Sequence, residues 1–438
     1  SGTMKQFELS KLAIAVIALT LLSLGQSVRA GGEGFRESTD TKETIDTSSD
    51  LGLGTYSANP FHVSVTVRGG YDDNVNLSSV DEQGSPFTNV ALGLTYDFGS
   101  PRTRMSLNAG VSATYYWDHS DNSAFNNNTQ DWAVNAWLGF NITHKATPRL
   151  TLSAQVSAAY LSQPGFDTFN NLRFVVETRN QDFFQTINRF AAAYAWAPRF
   201  STLTSYTFGY VDYTDSTISF FEDRYEHTFG NEFRFLLAPT TTLVGEYRFG
   251  IVDYVEDNFR GSNSHFFLAG ADHSFSPRFN VSFRGGVEIR HFDDASNDPA
   301  FGHIDDSETA PYFEATVNYA LAQGTSISWF NRYALEQPNV PDALSRQTYR
   351  TTLGIRHNFT QRIIGSVNFG YNHDTYDKTF AQPSFEEDYF DVSLTLRYVI
   401  NRTWSAELGY SHSEASAPEN LFRDYSRNQY WAGVTFTW

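Results

Sequence analysis

Apolar and polar residues alternate along most of the chain from Phe61 onward, in runs of about ten to fourteen residues. In the run 281–290, VSFRGGVEIR, valine, phenylalanine and isoleucine occupy one set of alternate positions, and serine, arginine and glutamate occupy the other. Successive side chains of a β-strand point to opposite faces, whereas helical spacing would mix the two sets. The pattern therefore predicts strands with one apolar and one polar face.

Short turns and long polar loops alternate between these runs. The turns carry motifs such as Gly-Ser-Pro-Arg at 99–102 and Phe-Ser-Pro-Arg at 275–278, in which proline presets the turn. A unit of two strands and one loop recurs about every 40 to 50 residues, which indicates a repeated hairpin. Propeller blades have a similar period but need four short strands per unit. The predicted strands are 61–72, 87–98, 103–117, 130–144, 150–161, 183–196, 201–213, 225–237, 242–256, 264–275, 279–292, 309–320, 325–336, 346–358, 363–375, 388–399, 404–413 and 428–438.

Eighteen two-faced strands favour a membrane barrel over a soluble sandwich. A sandwich also alternates, because its apolar face is buried. Here charged residues recur on one face of strands that are long enough to cross a hydrocarbon layer when tilted. We therefore predict an all-β fold, a transmembrane antiparallel up-and-down β-barrel with an apolar outside and a polar inside. Several tryptophans fall at predicted strand ends, where they suit a membrane interface. These are Trp117, Trp132, Trp196, Trp404 and Trp438.

The composition agrees with a barrel that places its apolar residues selectively. The chain has 38 Phe, 24 Tyr and 8 Trp, yet only 40% of its residues are hydrophobic and its mean hydropathy is -0.39. A barrel needs an apolar residue only at every second position, so both values are expected. The absence of cysteine excludes disulfides, thiolate metal sites and a lipid-anchored N-terminus.

The first thirty residues are typical of a secretory signal peptide. Residues 1–3 precede Met4 and resemble a cloning remnant; a basic region, an apolar run at 12–24 and the small-residue site Val28-Arg29-Ala30 follow. Cleavage is expected after Ala30, and the apolar run is short for a membrane anchor. Residues 31–60 are polar and aperiodic, which predicts a flexible segment before a barrel at 61–438.

The chain is acidic, with a net charge of -18. Cleavage after Ala30 removes three basic residues and one acidic residue, which changes the net charge to -20. Nucleic acid is therefore not an expected partner, because phosphate binding requires a basic surface.

The polar face of the predicted strands supplies candidate channel-lining residues. Such charges either select the solutes that pass or pair with each other and stiffen the wall. The candidates are Arg68, Glu232, Arg234, Glu246, Arg248, Arg284, Glu288, Arg290, Glu314, Arg350, Arg356, Arg397 and Glu407. Arg350, Arg356 and Arg397 have no carboxylate two residues away on their own strands. They suggest a basic stripe that would favour anionic solutes or acidic glycans.

Two kinds of loop carry further hypotheses. The longest connection, 161–182, contains Gln163, Pro164, Gly165 and Phe166 and an apolar stretch at 174–176, so it is a candidate constriction that folds into the lumen; an external flap is the alternative. Acidic loops at 118–122 and 291–294 offer oxygen ligands for Ca²⁺ but lack EF-hand spacing, so a solvated surface is the preferred interpretation. We found no catalytic motif and no metal-ligand spacing among the 11 scattered histidines, and we predict no enzyme activity, no metal and no cofactor.

The last predicted strand resembles the C-terminal strand of bacterial outer-membrane porins. Apolar residues alternate along 430–438, YWAGVTFTW, and the chain ends in an aromatic residue. The resemblance implies that Tyr430, Val434, Phe436 and Trp438 form a signal for the barrel-assembly machinery. More narrowly, the opening segment 69–77, GGYDDNVNL, and the Pro-Arg turns are similar to a family of β-barrel porins often encoded among exopolysaccharide export genes.

These observations predict a passive channel in the outer membrane of a Gram-negative cell, in contact with outer-membrane lipid. The resemblance implies export of an exopolysaccharide or capsule strand, with a periplasmic polysaccharide-export apparatus as partner. A general or sugar-selective porin for small hydrophilic solutes, and a structural or adhesive barrel that conducts nothing, are the alternatives.

Overall fold

The structure is a computed structural model that describes residues 60–80, 82–118, 131–162, 181–256, 260–293, 307–322, 324–340, 343–379, 384–418 and 423–438. Within these ranges the chain forms eighteen strands and one short helix. The strands are β1 Phe61–Asp72, β2 Ser85–Ser100, β3 Thr103–Tyr116, β4 Trp132–Lys145, β5 Leu150–Leu161, β6 Phe183–Ala197, β7 Phe200–Tyr213, β8 Arg224–Ala238, β9 Thr241–Tyr254, β10 Ser262–Ser276, β11 Phe279–Phe292, β12 Ser307–Ala322, β13 Thr325–Glu336, β14 Ala343–Asn358, β15 Ile363–Thr379, β16 Phe385–Val399, β17 Trp404–Ser416 and β18 Tyr425–Thr437; the helix is α1 Ser216–Glu222.

The strands close into one antiparallel barrel. Each strand pairs with its neighbours in sequence, and β18 pairs with β1, with Val67 opposite Val434 and Tyr71 opposite Tyr430. Closure leaves no sheet edge, so the backbone hydrogen bonds are satisfied within the wall. The predicted fold and strand number are confirmed.

The two ends of the barrel differ. The nine long connections, named L1 to L9 in chain order, all lie at one end, which we call the loop end. The short turns lie at the other, the turn end, together with Phe61 and Trp438. Several strands run further toward the loop end than the alternation predicts: β15 reaches Thr379 and β18 begins at Tyr425. At the loop end, the backbone pairing of these strands continues into polar residues beyond the point at which the alternation of apolar and polar residues ends.

The two faces of the barrel wall differ in which side chains are exposed. On alternate positions, large apolar side chains are exposed on the outside, such as Leu396, Phe283 and Phe229. On the intervening positions, polar and charged side chains such as Glu232 and Arg284 are buried on the inside. Trp117, Trp132, Trp196, Trp404 and Trp438 are all exposed and lie at or next to strand ends.

The helix α1 in L4 was not predicted. Asp215 caps its N-terminus by accepting hydrogen bonds from the backbone N–H groups of Thr217 and Ile218. Asp223 ends the helix; its carboxylate accepts from the N–H of Tyr213 at 2.8 Å and from Ser219 Oγ at 2.6 Å. Among the described residues, no helix is long and apolar enough to cross a membrane.

Candidate functional site

Arginine and carboxylate side chains of different strands pair on much of the inner face. Arg68 Nε lies 2.6 Å from Glu407, and Arg397 approaches the same carboxylate at 3.6 Å. Elsewhere on the wall, Arg284 lies 2.8 Å from Asp272. A guanidinium presents a fixed fork that matches a carboxylate, so such pairs hold the wall in one arrangement.

Two larger clusters of paired arginine and carboxylate side chains lie on the inner face between β8 and β15. In one, Arg248 binds Glu246, reaches Glu314 at 3.2 Å and donates to Tyr312 Oη at 2.9 Å. The adjacent pair of Arg234 and Glu232 is 2.6 Å apart. These side chains come from β8, β9 and β12, so Arg248 reaches across β10 and β11 to Glu314.

The second cluster surrounds Glu336 at the loop end of β13. Arg350 lies 2.8 Å from this carboxylate, Arg346 lies at 3.5 Å and Arg332 at 3.6 Å. Arg346 also binds Asp374 at 2.9 Å. Three guanidinium groups around Glu336 give this part of the wall local positive character, although Asp374 offsets part of it.

The inner faces of β3, β4 and β5 are different, because hydroxyl and amide side chains replace the charges there. We call this surface the amide wall; it includes Ser106, Asn108, Ser112, Asn135, Trp137, Asn141, Ser153, Gln155 and Ser157. Its charged residues are Arg104 and Lys145, both near the turn end. Asn141 Nδ2 donates to Ser106 Oγ at 3.4 Å, and Ser157 Oγ donates to the carbonyl of Ile187 at 2.9 Å.

An indole ring lies flat on the amide wall, where this wall borders an apolar cluster of Ala159, Leu161, Phe183, Val211 and Tyr213. Trp137 is opposite Gly110 on β3, and a Cβ atom at Gly110 would fall 1.9 Å from the Trp137 ring. Glycine is required here, because any side chain would push the ring off the wall. Trp431 covers Gly409 in the same way, with 2.0 Å to the added Cβ. Trp137 is half-buried, whereas Trp431 is buried with Val75 of L1 in one apolar cluster.

Two loops fold over the inner face at the loop end. From L1, Leu77 packs with Ala415 and Tyr425. Leu77 has φ 51°, a left-handed conformation that turns the loop inward at a local energetic cost. From L7, Val340 packs with Tyr376 and Phe385. These contacts place the described parts of L1 and L7 against the inner face of the barrel at the loop end.

A sequence model of the family described as "Putative beta-barrel porin 2" matches residues 51–437. This chain belongs to that family. The porin lies in the outer membrane, with the short turns on the periplasmic side and the loop end facing outward.

Several solved structures match most of this chain. The outer-membrane protein OpdK from Pseudomonas aeruginosa shares 12% identity, with 86% of this chain and 99% of that chain covered and a TM-score of 0.42. OccK9 (OpdG) from Pseudomonas aeruginosa shares 8% identity, with 86% and 98% covered and a TM-score of 0.44. OccAB4 from Acinetobacter baumannii shares 12% identity, with 87% and 99% covered and a TM-score of 0.40. A comparison with curated proteins gave no match.

Every charged residue predicted to line the channel of this porin lies on the inner face. The strand register places Arg68, Glu232, Arg234, Glu246, Arg248, Arg284, Glu288, Arg290, Glu314, Arg350, Arg356, Arg397 and Glu407 there. Glu288 and Arg290 pair with each other at 2.9 Å. Their role in transport stays a prediction.

The observation behind the suggested basic stripe needs correction, because Arg350 and Arg397 do have carboxylate partners. Arg350 shares Glu336 with Arg332 and Arg346, and Arg397 shares Glu407 with Arg68. Both carboxylates lie on a neighbouring strand, where the spacing of residues along one strand does not show them. Arg356 lies on the inner face opposite Ser326 and Ser366.

The remaining loop hypotheses fall largely outside the described residues. Gln163, Pro164, Gly165 and Phe166 of the candidate constriction lie outside them, as do residues 1–59 and most of the acidic loop at 118–122. Within the part of the chain that the structure describes, no group of three acidic or histidine side chains could hold a metal ion. The inward folds of L1 and L7 and the platform of Trp137 were not predicted from the sequence.

Proposed function

We propose that this porin is a channel for carbohydrates, and that saccharide units move along the amide wall. The observation that carries the proposal is the combination of Trp137, held flat on Gly110, with the surrounding hydroxyl and amide side chains. A sugar ring has C–H groups on its faces and hydroxyl groups at its edge. The C–H groups suit the negative face of an indole, and hydroxyl groups suit amides, which donate and accept hydrogen bonds.

The length of the amide wall favours an oligosaccharide over a single sugar. From Ser106 to Thr114 the wall extends along nine residues of β3, which are separated by about 26 Å at about 3.3 Å per step. Several sugar units could therefore contact the wall at once. The paired charges on the opposite side keep the lumen hydrophilic without a strong net charge.

A planar-bilayer measurement tests this proposal. Maltohexaose is expected to interrupt the ion current through the reconstituted porin, and Trp137→Ala should weaken the block about fivefold, since an aromatic contact contributes about 1 kcal/mol. Trp329→Ala is the matched control, because Trp329 is exposed on the outer face. Equal block in the parent and in Trp137→Ala would contradict the proposal.

Export of a polysaccharide strand is a finer form of the same function. The length of the amide wall supports an extended cargo, but the direction of transport rests on the family resemblance alone. Adjacent genes for glycosyltransferases and a chain-length regulator would support export, and a neighbourhood of catabolic sugar genes would favour uptake of small solutes. Assembly into the membrane through the C-terminal strand is likewise proposed from the resemblance.

A further inference from the structure

The loop end of the β13–β14 hairpin separates from β12 on one side and stays paired with β15 on the other. Pairing between β12 and β13 reaches Tyr333 and is not continued by the last residues of β13. Pairing between β13 and β14 continues to Glu336, opposite Arg346. The hairpin therefore stays intact while it separates from β12. We call Leu335–Val340 the lid; Leu335, Asn339 and Val340 are buried.

Separation from β12 removes backbone partners from the lid, and three arginines replace them. Arg290 on β11 donates to the carbonyls of Leu335 at 3.1 Å and Glu336 at 3.4 Å. Arg260 in L5 donates to the carbonyl of Pro338 at 2.9 Å. Arg423 in L9 donates to the carbonyl of Asn339 at 3.0 Å. Four carbonyls of the lid are thus held by guanidinium groups from three different elements.

The three arginines differ in their counter-charges. Arg290 pairs with Glu288 and Arg423 with Glu387 at 3.1 Å. Arg260 is fully buried, and no carboxylate of the described residues lies within ion-pair distance of it. It donates to the carbonyls of Phe221 and Pro338 and stacks over the ring of Tyr254, 4.7 Å from the centroid.

Of the three arginines, Arg260 is the one without a carboxylate partner among the described residues. A buried cation without a carboxylate partner is costly, and a guanidinium binds a carboxylate more strongly than a neutral carbonyl. We propose that the lid covers a binding site for acidic sugars, in which Arg260, assisted by Arg290 and Arg423, takes a carboxylate of the glycan and releases the lid. This inference rests on the proposed carbohydrate channel and specifies that its cargo is acidic.

A single introduced thiol can report the position of the lid. The chain has no cysteine, and Val340, the last residue of the lid, is only 6% exposed, so Val340→Cys gives one protected labelling site within the lid itself. The rate of reaction with a neutral maleimide is measured on refolded porin in lipid vesicles. Hexagalacturonate should accelerate labelling at least fivefold over maltohexaose at equal ionic strength. Arg260→Gln in the same background should label fast without any saccharide and show no further response.

The controls separate the lid from general loss of structure. Arg278→Gln removes an exposed guanidinium in the β10–β11 turn and should label like the parent. Arg423→Gln should show intermediate labelling, and only preparations that keep the heat-dependent gel mobility of a folded barrel are compared. The proposal is overturned if hexagalacturonate leaves the labelling rate of the parent unchanged, or if Arg260→Gln labels at the rate of the parent. The labelling rate reports the position of the lid and not the passage of saccharide through the channel. If labelling responds to hexagalacturonate but no saccharide blocks the current in planar bilayers, the proposed carbohydrate channel is rejected and the proposed lid is not.

Discussion

The ion pair of Asp72 and Arg427 should stabilise the junction at which the barrel closes. The two residues lie on β1 and β18, and their exposed fractions are 0% and 2%. Arg427 Nε lies 3.1 and 3.0 Å from the two carboxylate oxygens, and Gln429 donates to the same carboxylate at 2.8 Å. Asp72→Asn leaves a buried guanidinium without its counter-charge, which costs about 3–5 kcal/mol.

The double variant Asp72→Asn with Arg427→Met gives the sharper test. It removes both charges, so the remaining cost should be about 1–3 kcal/mol from the polar groups left without partners. The free energy of unfolding is measured by urea titration of the refolded barrel, followed by tryptophan fluorescence. Arg402→Gln, in an exposed turn, should change it by less than about 0.5 kcal/mol. If the double variant loses as much stability as Asp72→Asn and Arg427→Met combined, the two charges do not stabilise each other and the ion pair is not what holds the junction.

Three further changes have defined outcomes. Burial raises the pKa of Asp223 to about 6 from the usual 3.8, so the folded state keeps a proton that the unfolded state has released, and stability falls as the pH rises from about 4 to 6. Asp223→Asn should therefore raise the melting temperature at pH 7.5 and leave it unchanged at pH 3.5, because its amide oxygen can accept from the N–H of Tyr213 while its NH2 group donates to Ser219 Oγ. Gly110→Ala should displace the ring of Trp137 and weaken maltohexaose block about as much as Trp137→Ala; unchanged block would contradict the platform. Trp438→Ala should slow assembly into vesicles that contain the barrel-assembly machinery, and an unchanged rate would argue against the C-terminal signal.

The alternation of residues was sufficient to predict the wall of the barrel. A strand has a period of two, so the pattern VSFRGGVEIR at 281–290 placed Arg284 and Glu288 on the polar face without knowledge of their partners. The same reasoning could not find the partners. Glu336 and Arg350 are adjacent only because β13 and β14 pair in one register, which depends on the whole ladder.

The lid could not be predicted from the sequence, for a different reason. Its arginines come from β11, L5 and L9, and they bind backbone carbonyls, which leave no trace in the side-chain pattern. The flat position of Trp137 also depends on a neighbouring strand, because Gly110 provides the space for the ring. A search for glycines opposite aromatic residues on the predicted polar faces could have found this signal once the register was known.

The most direct test of a saccharide channel is the single-channel current of the purified porin in a planar bilayer. We expect discrete current steps that maltohexaose interrupts, with openings more frequent in Arg260→Gln because the lid is released. A lack of measurable current in both proteins, with the barrel shown to be folded, would contradict this expectation and favour a non-conducting structural barrel.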